Sequence, residues 1–532
     1  MNNLSSIEKQ FPFPSRRALV MGRNMVATSQ PLAVQAGIRA LQSGGNAVDA
    51  ALATAITLTV VEPTMNGIGS DAFCLLWDGE SLHGLNASGR SFKAMKLHDF
   101  KGQSSMPERG WDSVTVPGAV SAWVALSDRF GKLPFERLFE DAIRYADQGF
   151  QVTPFTASLW AEAKTVFRGF EDFLVFLPNG SAPIAGELFR FPDQAQTLEE
   201  IANSHGQSFY RGELAERMVC ASQRAGGKMV MSDLEEHECE WIEPIHLDYH
   251  GYTLHEIPPN GQGLGALLML GILEHLRIDQ YEPDSVDALH CQIECMKLAF
   301  ADTFRYVSDP TSSDMDAYRL LDREYLVNRA KLVDMNLSKN PNPGVPPGSG
   351  TVYLTSADAS GMMVSYIQSN YAGFGSGIVI PGTGISLQNR GAGFNLQDGH
   401  PNCLAGGKRP FHTIIPAFLS RAGKPVMSFG VMGAHMQAQG HAQMLIRVLD
   451  QGFSPQAAID APRWQVCKDN SVLLESGYSD QVRAGLRARG HVVHDFNFKQ
   501  IFDMGGAQMI MKTESGYVGG SDPRKDGMVS AY

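Results

Sequence analysis

The sequence predicts a large α+β protein, and three observations carry that expectation. A small-residue helical block at 31–60 is followed by strand-like alternation over 72–90. The stretch 113–300 reads as mainly helical with loops. A break rich in Pro, Gly and Asn at 339–350 then leads directly into two strand-like segments.

Taken in order, Pro31 suits the first turn of a helix that continues through Ala33, Ala36, Ile38 and Leu41. Gly44 and Gly45 interrupt it, and Asn46 is placed to cap a second helix running through Ala55. The alanine richness implies close packing against a sheet. Apolar and polar residues alternate over 72–90 about a turn at Asp78-Gly79, as strands do. Helices are expected over Ala119–Arg129, around Leu198–Ala202 and from His290 to Tyr306, and a strand over Tyr252–Ile257 stops at Pro258-Pro259. The run from Lys339 to Gly350 cannot continue a helix or a central strand and reads as an exposed linker. Thr351–Ala357 and Met362–Gln368 follow as strands joined by a turn at Asp358–Gly361. No repeat of 20–50 residues is present.

The chain has 532 residues, 43% hydrophobic and 19% charged, with a formal charge of −12. That balance supports a buried core, and the absence of a dense Lys/Arg run argues against a nucleic-acid partner. No apolar stretch reaches the ~20 residues of a membrane-spanning helix. The opening MNNLSSIEKQFPFPSRRALVMG lacks the apolar core of a signal sequence. Seven cysteines, an odd number without framework spacing, favour a reduced, cytoplasmic protein.

The chemistry-bearing feature is the linker–strand junction. Threonine is a weak nucleophile unless a base adjoins it, and a free N-terminal amine on the same residue is such a base. A Thr351 hydroxyl attacking the Gly350 carbonyl would shift the chain to an ester and free that amine on hydrolysis. Gly350 offers no side chain to block the approach. On local pattern alone, a hairpin opening after a loop explains the junction better than a nucleophile does.

Other patterns are weaker. His435 and His441 lie six apart, about 600° around a helix, and do not form a metal pair. His290, Cys291, Glu294 and Cys295 share a helix without a second ligand pair at zinc spacing, so they read as packing and no metal is expected. Gly261-Gln262-Gly263-Leu264-Gly265 has the wrong glycine spacing for a dinucleotide site, reads as a tight turn, and implies no cofactor.

Nearly the whole chain resembles the γ-glutamyltranspeptidase family. The resemblance is carried by MVATSQPLAVQAGIRALQSGGNAVDAALA (25–53), VVEPTMNGIGSDAF (60–73), LNASGRS (85–91), VTVPGAVSAW (114–123), EIPPNGQG (256–263), LAFADTFRYVSDP (298–310), GKRPFHTIIP (407–416) and GGSDPRKDG (519–527). It implies a four-layer αββα sandwich of the N-terminal-nucleophile hydrolase type. It implies a precursor cut between Gly350 and Thr351 into a large subunit, 1–350, and a small subunit, 351–532, that together form one domain. A homodimer of such processed pairs stays open as the assembly.

By motif, Thr351 falls at the family's catalytic threonine, and Ser369 at a second hydroxyl that contacts it. Gly433 and Ala434 fall at the backbone pair of the oxyanion hole. Arg90 falls at the arginine that holds the substrate carboxylate. Without the resemblance, Arg90 would read as a surface arginine. The family's acidic ammonium-binding position is Gly393 here, its amide position is Arg390, and two carboxylate-binding serines are His412 and Thr413. His412 either binds substrate or fills space beside Phe411.

Loss of the acid with gain of Arg and His favours a small anionic amide without an α-amine. The N-terminal block and SNYAGFGSGIVIPGTGISLQNRG (369–391) most resemble a cytoplasmic branch of the family, which includes enzymes that split oxamate to oxalate and ammonia. The alternatives are γ-glutamyl compounds such as glutathione, a bulky acyl amide as in the family's cephalosporin acylases, or an unprocessed scaffold without activity.

Overall fold

The computed structural model describes residues 17–312, 316–341, 350–495 and 503–532. The expected start segment falls largely, and the linker mostly, outside them. Two seven-stranded antiparallel sheets lie face to face. In spatial order the first runs Met528–Ala531, Met25–Thr28, Gly350–Ala357, Met363–Tyr371, Asp71–Trp77, Leu82–Ala87, Glu240–Ile242. The second runs Val20–Gly22, Tyr517–Ser521, Gly506–Lys512, Lys424–Met432, Ala417–Arg421, Tyr252–Glu256, Ile245–Tyr249. Helices Pro31–Gln42 and Ala47–Val61 cover the first sheet, Gly263–Leu273 and Met436–Leu445 cover the second, and Val286–Tyr306 packs on Gly263–Leu273. These four layers are the αββα sandwich. Both sheets take strands from either side of residue 350, so the core belongs to the two halves jointly.

The helical layer over the first sheet follows from its sequence. Asn46 caps Ala47–Val61, its side chain accepting from Val48 and Asp49 N–H while Asp49 accepts from the Asn46 N–H. Asp358, in the turn of the hairpin that begins at Gly350, accepts from Ala47 N–H at 2.7 Å. This buried helix end therefore keeps partners for its orphan donors. A side chain at Gly37 would meet Thr54 Oγ1 at 2.3 Å, which is why the two helices can close on each other there.

Several expectations need correction. The second helix extends beyond Ala55 to Val61. The strands expected over 72–90 are present as Asp71–Trp77 and Leu82–Ala87, and the first is buried except at Trp77 because it lies centrally between a helical layer and the other sheet. The mainly helical stretch 113–300 also contains Glu240–Ile242 and Ile245–Tyr249, strands at the far edges of the two sheets. The second strand of the hairpin starts at Met363 and continues to Tyr371, which places Ser369 inside it.

Candidate active site

Thr351 is fully buried near the head of its strand. The ladder to Met363–Tyr371 slips between Gly350 and Val352, which pair with Tyr371 and Gln368. Such an irregularity bends a strand and re-aims its side chains. The Thr351 hydroxyl donates to Ser369 Oγ at 3.2 Å and accepts from Gln437 Nε2 at 3.3 Å. Ser369 Oγ also accepts from Arg390 Nη2 at 3.2 Å and from Tyr371 N–H at 2.8 Å. Of these contacts, the Gln437 N–H donates to the Thr351 oxygen itself and so would stabilise negative charge developing there.

Arg390 completes this group. It is fully buried, its Nη1 donates to Thr413 Oγ1 at 2.8 Å, and its guanidinium lies 4.4 Å from the centre of the Tyr371 ring. Its Nε has no hydrogen-bond partner among the described residues. Burial pulls the guanidinium down to about 10, with nearby Asp71 opposing that shift. Asp71 sits directly across the ladder from Ser369. Burial raises its carboxyl to about 7, although Arg390, backbone donors and Arg409 lower it.

His412 is fully buried beneath this cluster. Its Nε2 lies 3.1 Å from Asp71 Oδ2, its Nδ1 accepts from Ile414 N–H at 3.4 Å, and its ring meets Phe73 edge-on. Burial, then Arg390 and Arg409, drive its basicity well below the ordinary value, so it is neutral and donates to Asp71. Both ring nitrogens are committed within the protein.

The Gly433-Ala434 turn follows the strand Lys424–Met432 and opens the helix carrying Gln437. Among the described residues, neither N–H has an acceptor. Gly433 has φ 122°, and a Cβ there would lie 2.9 Å from Gly505 Cα. Ala434 has φ 52°, a left-handed conformation that costs a non-glycine residue ~1–2 kcal/mol. Gln262 holds the turn: its Nε2 donates to Ala434 O at 2.8 Å and to Thr413 O at 2.5 Å, and its Oε1 faces His435 Nδ1. Gly433→Ala is expected to shift the turn and reduce kcat by about 10²–10³, the cost of losing one oxyanion donor. Ala434→Gly is expected to retain activity and to lie within about 1 kcal/mol of the parent, relief of strain offsetting added chain entropy. Steady-state kinetics and urea unfolding check both.

Thr351, Ser369, Arg390 and Thr413 thus meet, and Gly433-Ala434 adjoins them through Gln437. Arg90 stands apart. Its guanidinium is turned to Asp309 at 2.8 Å, Gly407 O at 3.2 Å and Glu240 at 3.3 Å. The residues missed by sequence reasoning are Asp71, Gln262 and Gln437. Asp71 and Gln262 lay in segments already singled out, GIGSDAF and the Gly261–Gly265 turn, but Gln437 had no local signal.

The remaining sequence features resolve as structure. His441 pairs with Glu256 at 2.7 Å, both fully buried, whereas His435 faces a cavity. Cys291 and Cys295 pack in the core, but His290 and Glu294 meet a distant partner, His491, in a polar cluster. His290 Nδ1 lies 2.7 Å from His491 Nε2 and its Nε2 is 2.8 Å from Asp334 O. Lys297 donates to Glu294 at 3.0 Å and lies 3.4 Å from His491 Nδ1. These contacts tie the three side chains to one another and to the Lys297 ammonium.

A cavity of about 540 Å³ opens beside the Gly433-Ala434 turn. All seven cysteines are unpaired thiols, and no helix among the described residues is long and apolar enough to cross a membrane.

The layered fold is that of the N-terminal-nucleophile hydrolases. The Gamma-glutamyltranspeptidase family profile matches residues 33–532. The chain is 36% identical to the Glutathione hydrolase-like YwrD proenzyme of Bacillus subtilis (strain 168), over 96% of this chain and 99% of that protein. It is also 36% identical to the Oxamate amidohydrolase proenzyme of Klebsiella pneumoniae, with 96% and 99% covered. A crystal structure of cephalosporin acylase from Bacillus halodurans superposes with a TM-score of 0.94 at 46% identity, covering 98% of each chain. The protein belongs to the γ-glutamyltranspeptidase family and is a self-processing, amide-hydrolysing enzyme.

Proposed function

We propose that this enzyme is cut between Gly350 and Thr351 into subunits 1–350 and 351–532, and that it hydrolyses amides whose acyl group carries a carboxylate and no α-amine. Oxamate, split to oxalate and ammonia, is the smallest such substrate. The carrying observation is Arg390: a fully buried cation whose Nε has no partner among the described residues, one hydrogen bond from Ser369 and two from Thr351. Gly393 adds to it, because a Cβ there would lie 2.7 Å from Phe411 O, leaving no room for the acid that would hold an α-ammonium. Arg90, tied up in ion pairs, does not enter this reading. His412 enters it only as the residue that positions Asp71.

In the proposed sequence, the freed Thr351 amine takes the proton of its own hydroxyl, directly or through water. The oxygen attacks the amide carbon, and the oxyanion rests on Gly433 and Ala434 N–H, each worth ~3–4 kcal/mol. The C–N bond breaks, the amine leaves with that proton, and water hydrolyses the ester to regenerate Thr351. A cytoplasmic location accords with seven free thiols. A panel of oxamate, glutamine, glutathione and a γ-glutamyl anilide tests the substrate reading. Oxamate turnover with the others silent is expected, and dominant anilide turnover would overturn it.

Asp71 gives this reading a pH signature. Its folded pKa, about 7, lies above the ordinary carboxyl value, so it is protonated below pH 7 and ionises above it. The ionised form competes with a substrate carboxylate for Arg390, while His412 stays neutral. KM for an anionic amide is therefore expected to rise as pH passes through about 7, and Asp71→Asn should flatten that limb. A pH-independent KM in the parent enzyme would contradict the assignment.

A further inference from the structure

The cavity beside Gly433-Ala434 is walled by two sets of aromatic rings. Phe167 and Phe374 form one, with ring centres 5.9 Å apart, and Phe300 and Phe304 form the other, 5.1 Å apart and stacked. All four are at least nine-tenths buried, and Val166 stands partly exposed among the lining residues. Phe374 and Ala434 both hold left-handed backbones, at φ 57° and 52°, so the lining carries local strain on both sides.

From these walls we infer that the cavity is the subsite for the amine half of the substrate, and that it takes a bulky, uncharged aromatic amine. This rests on reading Arg390 as the acyl-carboxylate site. An amide carbonyl seated on Gly433-Ala434 has two substituents. The acyl side is committed to Arg390, which is not part of the cavity lining, so the nitrogen substituent faces the chamber. Its volume falls in the range of sites that enclose drug-sized ligands and far exceeds what ammonia needs.

The charges around the chamber select against a second anion. Arg109 and Lys468 are balanced by Glu108, Glu162 and Asp503. Arg109 is already engaged, donating to Gly375 O at 3.1 Å with its guanidinium 5.2 Å from the Phe167 ring centre. What the chamber offers a ligand is ring faces and edges, which bind flat apolar groups.

The test uses the processed enzyme and one acyl group with three amines: oxamate, N-phenyloxamate and N-naphthyloxamate. The kcat/KM ratio of N-naphthyloxamate to oxamate is expected to exceed one and to fall by about tenfold or more in Val166→Trp, whose ring would intrude on the chamber. Because reactivity differs between alkyl and aryl amides, fluorescence titration with 2-naphthylamine supplies a second reading. It should bind the parent and bind Val166→Trp about tenfold more weakly. An unchanged ratio with equal naphthylamine affinity would overturn the inference. Naphthylamine binding without turnover of any oxamate would sink the Arg390 reading and leave the chamber standing as an aromatic site.

Discussion

Thr351→Ala is expected to yield a single uncut chain with no measurable amidase turnover. Two roles of one hydroxyl are lost together: attack on the Gly350 carbonyl and attack on the substrate. The loss should be at least about 10³–10⁴-fold, because what remains is stabilisation by backbone donors without a nucleophile. The fold should survive. The alanine removes one hydroxyl that donates to Ser369 and accepts from Gln437, and both partners keep other polar neighbours. Thr351→Ser keeps the hydroxyl and should still process and turn over, more slowly. A Thr351→Ala protein that matured into two fragments would assign the cleavage to another group.

Arg390→Met is expected to lower kcat/KM for anionic amides by about 10²–10³, the ~3–4 kcal/mol typical of removing a buried, hydrogen-bonded charge partner. Most of the loss should fall on KM, since the guanidinium is read as holding the acyl carboxylate in ground and transition states alike. Asp71 would lose the cation that most lowers its carboxyl, and burial would then keep it protonated, so the variant should fold as a neutral site. Arg390→Lys should recover little, because one ammonium cannot reproduce a fork that reaches Ser369 and Thr413 together. Equal losses on charged and uncharged amides would show that Arg390 is structural.

How far the site was legible in the sequence depends on the range of the interactions. The cap at Asn46, the turn at Asp358–Gly361 and the strand after the linker are local, and each stands where propensity and turn chemistry put it. Ser369 and Arg390 could be named from their motifs, but the bond between them could not. Asp71 reaches the group only because two strands about 300 residues apart in sequence pair in one register. Gln437 arrives on a helix of the other sheet, and nothing local marks a glutamine as a partner for a threonine.

Left-handed conformations at Tyr371, Phe374 and Ala434 are equally silent, since glycine is the residue that usually signals them. Arg90 was placed at a carboxylate site by its motif, and its ion pairs with Asp309 and Glu240, supplied by distant segments, could not be read from that motif.

N-terminal sequencing of the purified, active enzyme, paired with its intact mass, tests the central claim most directly. The account predicts two chains, one of them beginning at Thr351. Full amidase activity from an intact chain, or from a fragment beginning at any other residue, would contradict it.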